Sequence, residues 1–229
     1  MTEEELLKAL RNSERLTVLQ ALELLDTSAE EAFDRLTRLA GKLTGSPISL
    51  VSLVDADRQY FKSIFGQMPD SILASREIPL SHSICKHVVA TGEPLIVTDA
   101  RQNEMLNGNL AISELGVLGY LGMPLETKDG QQVGSFCVID IKPREWSDEQ
   151  INIIRELAES VMVEIDLRLQ IKAREEIEKE LIERNRQYRR VYHFANSTIE
   201  HMRDVLSKGA DEDELLAYLD QMEKELSRL

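Results

Sequence analysis

The sequence predicts an α+β fold, an antiparallel sheet flanked by helices, followed by one long helix and a helical hairpin. Two observations carry this. The hydrophobic period is helical over residues 3–43, extended in short β-branched runs over 47–140, and helical again beyond 147. Turn signals recur every few residues up to about Arg144, whereas Ser147 to Ser207 contains neither proline nor glycine.

Each element follows in order. From Glu3 to Leu25 the apolar positions Leu6, Leu7, Leu16, Leu19 and Leu22 form a helical stripe, interrupted at Asn12-Ser13. Ser28 with Glu31 reads as a capping box, with Phe33, Leu36, Leu39, Ala40 and Leu43 as the apolar face behind it. Pro47 to Val54 and Gln59 to Ile64 read as a β-hairpin turned by Asp55-Ala56-Asp57. A loop from Gly66 to Pro79 leads to a short helix at Ser83 to Thr91, ended by Gly92, and a strand at Leu95 to Thr98. Asp99 to Leu118 reads as short helical turns. Strands at Gly119 to Leu125 and Val133 to Asp140 are joined by Lys128-Asp129-Gly130, whose Asp-Gly step suits the positive φ of a tight hairpin. Five strands are counted in this way. Ser147 with Gln150 then caps the long helix.

On that helix Leu181, Tyr188, Tyr192, Ala195, Ile199, Met202 and Leu206 recur at heptad spacing, the seam of a coiled coil. The same register meets Arg174, Glu178 and Asn185 upstream, which weakens the seam there. Lys208-Gly209-Ala210 reads as a break, Asp211 with Glu214 as the next cap, and Leu215, Leu219, Met222 and Leu226 as the apolar face of a last helix. The tail is expected to be a helical hairpin completed by a second copy of the chain, with Leu181, Tyr188, Tyr192, Ile199, Met202 and Leu206 at the homodimer interface. The organisation expected is N-terminal helices at 1–27, the sheet domain at 28–168, the long coiled-coil helix at 169–207 and the last helix at 211–229.

Composition excludes several classes of function. The 229 residues are 42% hydrophobic, enough for a core, and carry a formal charge of −14, which disfavours neutralising nucleic-acid phosphates. No run approaches the ~20 apolar residues of a membrane span. Met1 to Leu16 is charged throughout and does not resemble a secretion signal. Two cysteines outside any CxxC pair fit a reducing cytoplasm. The expected chain is cytoplasmic, binding neither nucleic acid nor membrane.

Seven segments carry a family likeness in the correct order: Leu24-Leu25-Asp26-Thr27, Phe33 to Thr37, Ser52 to Gln59, Ser83-Ile84-Cys85-Lys86-His87, Leu95 to Ala100, Gly122-Met123-Pro124-Leu125 and Gly134 to Asp140. Over about residues 13–170 the chain resembles the GAF domain of bacterial signalling proteins. The resemblance implies a sheet of five or six strands, a small ligand pocket under helices on one side, and the first and last helices on the other. It also implies a last helix continuing into a signalling coiled coil. It names no ligand and no cofactor, because the fold hosts many chemistries.

Candidate ligand-binding residues are His82, Cys85, His87, Asp99, Tyr120 and Cys137. Two imidazoles and two thiols are zinc-type ligands, and a thiolate there could sense redox change. Against a metal site, His82 and Cys85 can converge on a helix while Cys85 and His87 cannot share a face. The alternative is that both cysteines are small buried apolar groups. Bilin attachment is disfavoured because Lys86, not histidine, follows Cys85, and two cysteines do not reproduce the set used by GAF-type methionine sulfoxide reductases. Asp99 and Asp140 read equally as turn caps, and Tyr120 as a sheet residue.

His193 and His201 are candidate phosphoacceptors, since the tail resembles the phosphotransfer hairpin of sensor kinases. Matching Phe194-Ala195-Asn196 to that pattern puts Tyr192 where the histidine belongs, and Met202 follows His201 where an acid belongs. No ATP-binding or GGDEF-like segment follows within the sequence, so no catalytic residue is expected. The expected function is a sensory module that binds a small molecule or senses redox, signalling through a dimer to a protein partner or an output domain outside this sequence. The alternative is a ligand-free adaptor.

Overall fold

The structure is a computed structural model describing residues 1–209 and 212–226. It comprises two compact units, Met1–Leu169 and Gln170–Leu229. Of the expected break at Lys208-Gly209-Ala210, α7 does end at Ser207 and Gly209 turns at φ 78°; Ala210, the cap at Asp211 with Glu214, and the apolar positions Leu215 and Leu226 fall outside the described residues and side chains. No helix among the described residues is long and apolar enough to cross a membrane.

The first unit is built on a six-stranded antiparallel sheet of order β3-β2-β1-β6-β5-β4. Its strands are β1 Ile48–Val54, β2 Arg58–Phe65, β3 Glu77–Pro79, β4 Leu95–Val97, β5 Gly119–Glu126 and β6 Gln132–Asp140. β1 and β6, at the centre, are buried on both faces, which explains their near-continuous apolar runs. The β5–β6 hairpin turns through Gly130 at φ 77°, with the Gly130 N–H bonded to the Thr127 carbonyl. The sixth strand, β3, lies in the segment the sequence reads as a loop. It is three residues long and ends on proline, so it leaves almost no periodic signal.

β2 carries a bulge. Ser52 pairs with Phe61 and Val51 with Ser63, leaving Lys62 without a partner on β1. Gln59 and Phe61 therefore face one side of the sheet, and Tyr60, Lys62 and Ser63 face the other.

Helices cover both faces. α1 Glu3–Leu10, α4 Asp70–Ser75, α5 Cys85–Thr91 and α6 Leu110–Glu114 lie on the Phe61 side, where Leu10, Phe61, Val88 and Tyr120 share a core. α2 Ser13–Ala21, α3 Glu31–Thr44 and the start of α7 Asp148–Ser207 lie on the opposite side, where Phe33, Val51, Phe136 and Ile154 share a second core. The first and last helices of residues 13–170, α2 and the start of α7, thus lie opposite the pocket as the resemblance implies, while α1, which precedes them, lies on the pocket side. The chain turns at Asn12, which caps α2 through the Arg15 N–H, and buried Arg15 pins the crossing by donating to the carbonyls of Leu10, Val54 and Gln132.

Two further expectations are corrected on α3. Ser28 and Glu31 form no capping box; the helix begins after Glu30, and the Ser28 carbonyl instead accepts a bond from Lys62 Nζ. Leu39 and Leu43 are exposed, and Thr37, Gly41 and Thr44 are buried in their place. Polar pairing sets that rotation: Thr37 Oγ1 lies 2.8 Å from Ser63 Oγ, and the Phe65 ring occupies the space a side chain on Gly41 would need.

α7 starts with the expected reciprocal cap, Gln150 N–H to Ser147 Oγ at 3.2 Å and Ser147 N–H to Gln150 Oε1 at 3.1 Å. In the second unit the later part of α7 packs against α8 Glu212–Leu226. Thr198 Oγ1 donates to Met222 Sδ, and His201 stacks on Tyr218 at 4.3 Å. Leu181, Tyr188, Tyr192, Ile199 and Leu206 stay exposed and Met202 is half-buried. Leu167 and Ile171, also exposed, continue their register toward the N-terminus.

Candidate functional site

A cavity of about 100 Å³ lies between the Phe61 face of the sheet and the helices above it. Leu50, Phe61, Ile78, Ile84, Val117 and Ile139 make it largely apolar, and exposed Gln67, Pro69 and Ile141 form its rim. Strand periodicity explains the lining from β2: Gln59 and Phe61, two apart, point the same way.

Cys85, the first residue of α5, is 2% exposed and faces the cavity. Its Sγ lies 3.8 Å from Cys137 Sγ on β6, which is fully buried and does not line the cavity. Tyr120 on β5 donates from its hydroxyl to Cys85 Sγ at 3.2 Å, and Ser135 Oγ lies 3.3 Å from the same hydroxyl. The Tyr120 ring lies across Gly122, where an added Cβ would come within 2.4 Å of the hydroxyl. The hydrogen bond from Cys137, assisted by those of Tyr120 and neighbouring serines, lowers the Cys85 thiol to about 7 against the opposing effect of burial. Burial raises Cys137 well above its ordinary range.

A polar bracket fixes the start of α5. Ser83 Oγ donates to Gln59 Oε1 and accepts from the Lys86 N–H, Gln59 Nε2 donates to Ser52 Oγ at 3.0 Å, and Asn109 Nδ2 donates to the Ser83 carbonyl at 2.8 Å. These bonds hold Ser83 outside the helix, so α5 begins two residues later than its sequence suggests.

The structure thus brings His82, Cys85 and Tyr120 to the cavity wall, with Cys137 directly behind. His82 is already engaged, its Nε2 3.0 Å from Glu114 Oε2 and its Nδ1 3.0 Å from Ser81 Oγ. His87 and Asp99 are not in the lining. His87 points toward α1 from another face of α5, as residues two apart on a helix must. It is 8% exposed, its Nδ1 has no partner, and burial, with Lys86 beside it, lowers it to about 4. Asp99 caps a short 3-10 turn by accepting the Arg101 N–H and pairs with the Arg101 guanidinium at 2.6 Å. No group of three metal-binding side chains occurs among the described residues.

Sequence reasoning missed Gln59, Phe61 and the bracket serines, and it missed a linkage on the opposite face of the sheet. Lys62, with a side chain 0% exposed, donates to Thr27 Oγ1 and to Glu30 Oε1, each at 2.6 Å. Glu30 Oε2 also binds Arg168 of α7. A lysine flanked by Tyr60, Phe61 and Ile64 in a strand was the available signal. Burial lowers Lys62; burial would raise Glu30, but Lys62 and Arg168 together hold it below its ordinary value.

The GAF domain model matches residues 28–165. The chain belongs to the GAF domain family. Cyclic di-GMP phosphodiesterase PA2567 of Pseudomonas aeruginosa is 29% identical over 153 residues, which are 66% of this chain and 25% of that protein. The chain therefore spans about a quarter of the curated relative it matches. Among solved structures, the GAF domain of an Acinetobacter phosphoenolpyruvate-protein phosphotransferase superposes with a TM-score of 0.51 at 15% identity, covering 71% of this chain and 99% of that one. A free methionine-R-sulfoxide reductase from Neisseria meningitidis, solved with its substrate, gives 0.50 at 17%, covering 67% and 89%. At these identities the likeness shows the fold alone. GAF domains form a family of signalling and sensory modules.

Proposed function

We propose that this chain is a cytoplasmic sensory GAF module that admits a small molecule to the β2-lined cavity and passes its state to α7 of a homodimer. The carrying observation is β2 itself. Phe61 lines the cavity, and the next residue, Lys62, reaches through Glu30 to Arg168 on α7. A displacement of β2 by a ligand is felt at the point where α7 leaves the sheet.

Size narrows the ligand. Drug-sized ligands occupy roughly 300–1,000 Å³, and an apolar cavity of about 150 Å³ takes benzene. At about 100 Å³ this cavity suits a molecule of a few heavy atoms, not a cyclic nucleotide. The exposed heptad positions of α7, from Leu167 through Leu206, supply the apolar seam that a second copy would cover. The output then passes to a protein partner or to a domain outside this sequence.

Native mass spectrometry of the freshly purified chain tests both parts. A dimer with added small-molecule mass supports the reading, and a monomer refutes the transmission. For any small molecule retained, its removal should change hydrogen exchange in β2 and around Arg168. Equal exchange in the two states refutes the coupling.

A further inference from the structure

Cys85 and Cys137 differ in one respect that matters for chemistry: only Cys85 meets the cavity. A molecule entering there touches one sulfur, with the second waiting 3.8 Å behind it. A disulfide needs about 2.05 Å between sulfurs, so the pair must close by roughly 1.8 Å, within reach of small thiol and helix adjustments. The Tyr120 hydroxyl, held by Ser135, donates to Cys85 Sγ and so favours the thiolate, the nucleophilic form.

We propose that Cys85 and Cys137 are an oxidisable pair, Cys85 reacting with a small hydroperoxide in the cavity and Cys137 resolving the product into a reversible intrachain disulfide. In the first step the Cys85 thiolate attacks one oxygen of hydrogen peroxide and the O–O bond breaks. Cys85 becomes a sulfenic acid, and the departing hydroxide takes up a proton to leave as water. In the second step the Cys137 sulfur attacks the Cys85 sulfur and the S–O bond breaks. The S–S bond forms, and hydroxide leaves with the Cys137 proton as a second water. The two sulfurs give up two electrons and the peroxide accepts them. A dithiol reductant reverses the bond by exchange.

The lowered Cys85 thiol fits the attacking role; Cys137, which burial keeps protonated, gives up its proton only as it attacks the sulfenic acid 3.8 Å away. Cavity volume fits as well, because about 100 Å³ admits a two-oxygen molecule. The bond would tie the first residue of α5 to the central strand β6, beneath the cavity. As a signal this rests on the sensory reading above; as chemistry it does not depend on α7 or on dimerisation.

The test uses the full chain, treated in its folded state with one equivalent of hydrogen peroxide, then alkylated after unfolding and weighed intact. The expected result is a mass lower by two hydrogens with both cysteines protected, both becoming alkylatable after dithiothreitol. Cys137→Ser should hold Cys85 as a sulfenic acid that dimedone labels, and Tyr120→Phe should slow wild-type-like oxidation several-fold. Two alkylatable thiols in the treated wild type, a disulfide between chains, or dimedone on Cys137 in Cys85→Ser would overturn the proposal. The wild-type arm needs no variant to fold, and a negative result there leaves the ligand-binding reading standing.

Discussion

His87 should make the domain sensitive to mild acid through stability alone. Its imidazole is buried against α1, its Nδ1 lacks a partner, and its pKa falls from 6.5 to about 4. Between those values the unfolded chain takes up a proton that the folded chain refuses. Stability from this group is therefore complete above about pH 6.5 and declines as the pH falls toward about 4. Lys86 adds to the penalty on the charged ring, while Glu3 and Glu104 border the same groove without bonding to it. At about 1.36 kcal/mol per unit, the whole shift corresponds to about 3 kcal/mol, of which about 2 kcal/mol is lost by pH 5. Urea unfolding of wild type and His87→Leu, at about pH 7.5 and about pH 5 and one protein concentration, isolates it, since carboxylates contribute to both chains alike. The wild type should lose about 2 kcal/mol more than the variant. Equal losses would show that His87 is protonated in the folded state, and the packing argument would fail.

Glu30→Gln leaves the buried Lys62 ammonium with only neutral acceptors. It should destabilise by about 2–3 kcal/mol, under the ~3–5 of a fully buried pair because Glu30 keeps partial exposure. Thermal unfolding reads the loss, and Lys62→Met in the same background should recover part of it. Gly122→Ala forces the Tyr120 ring aside and should cost roughly 1–3 kcal/mol of overpacking, with the Cys85 thiol becoming less reactive toward iodoacetamide at neutral pH. Leu181→Lys with Tyr188→Lys should convert the proposed dimer to a monomer in sedimentation velocity without altering the near-ultraviolet circular dichroism of the first unit; a persistent dimer would refute the seam.

Much of the fold was legible because its signals are local. The β1–β2 hairpin follows from β-branched runs around Asp55-Ala56-Asp57, the β5–β6 turn from Asp129-Gly130, and the start of α7 from Ser147 and Gln150, whose two bonds both form. Illegible features depend on distant partners. Leu39 and Leu43 satisfy helical periodicity, yet Thr37 bonds to Ser63 and turns α3 so that both leucines face outward. Ser28 has the chemistry of a cap, but Lys62 claims its carbonyl from across the sheet. At the site, Cys85 and Tyr120 stood out as residue types. Gln59 and Phe61 did not, because strand alternation alone does not say which face holds a cavity. His87 lies away from the cavity as helix geometry implies, since two residues from Cys85 is about 200° around a helix.

The bulge in β2 has a consequence for how the two halves of the mechanism can vary. Lys62 is an extra residue, opposite nothing on β1, so a chain without it would pair Phe61 and Ser63 in regular alternation. Phe61 would still face the cavity, Ile64 would still pack against the core on that side, and Ser63 would still face α3. A single-codon deletion there removes the ammonium and leaves the ladder shorter by one irregularity, whereas a deletion away from the Lys62-Ser63 bulge exchanges the faces of the residues beyond it. In the proposed relay, reception and transmission are therefore separable in heredity: a lineage can gain or lose the tie from β2 to Arg168 without redesigning the chamber, and the inserted lysine marks where such a tie could be added.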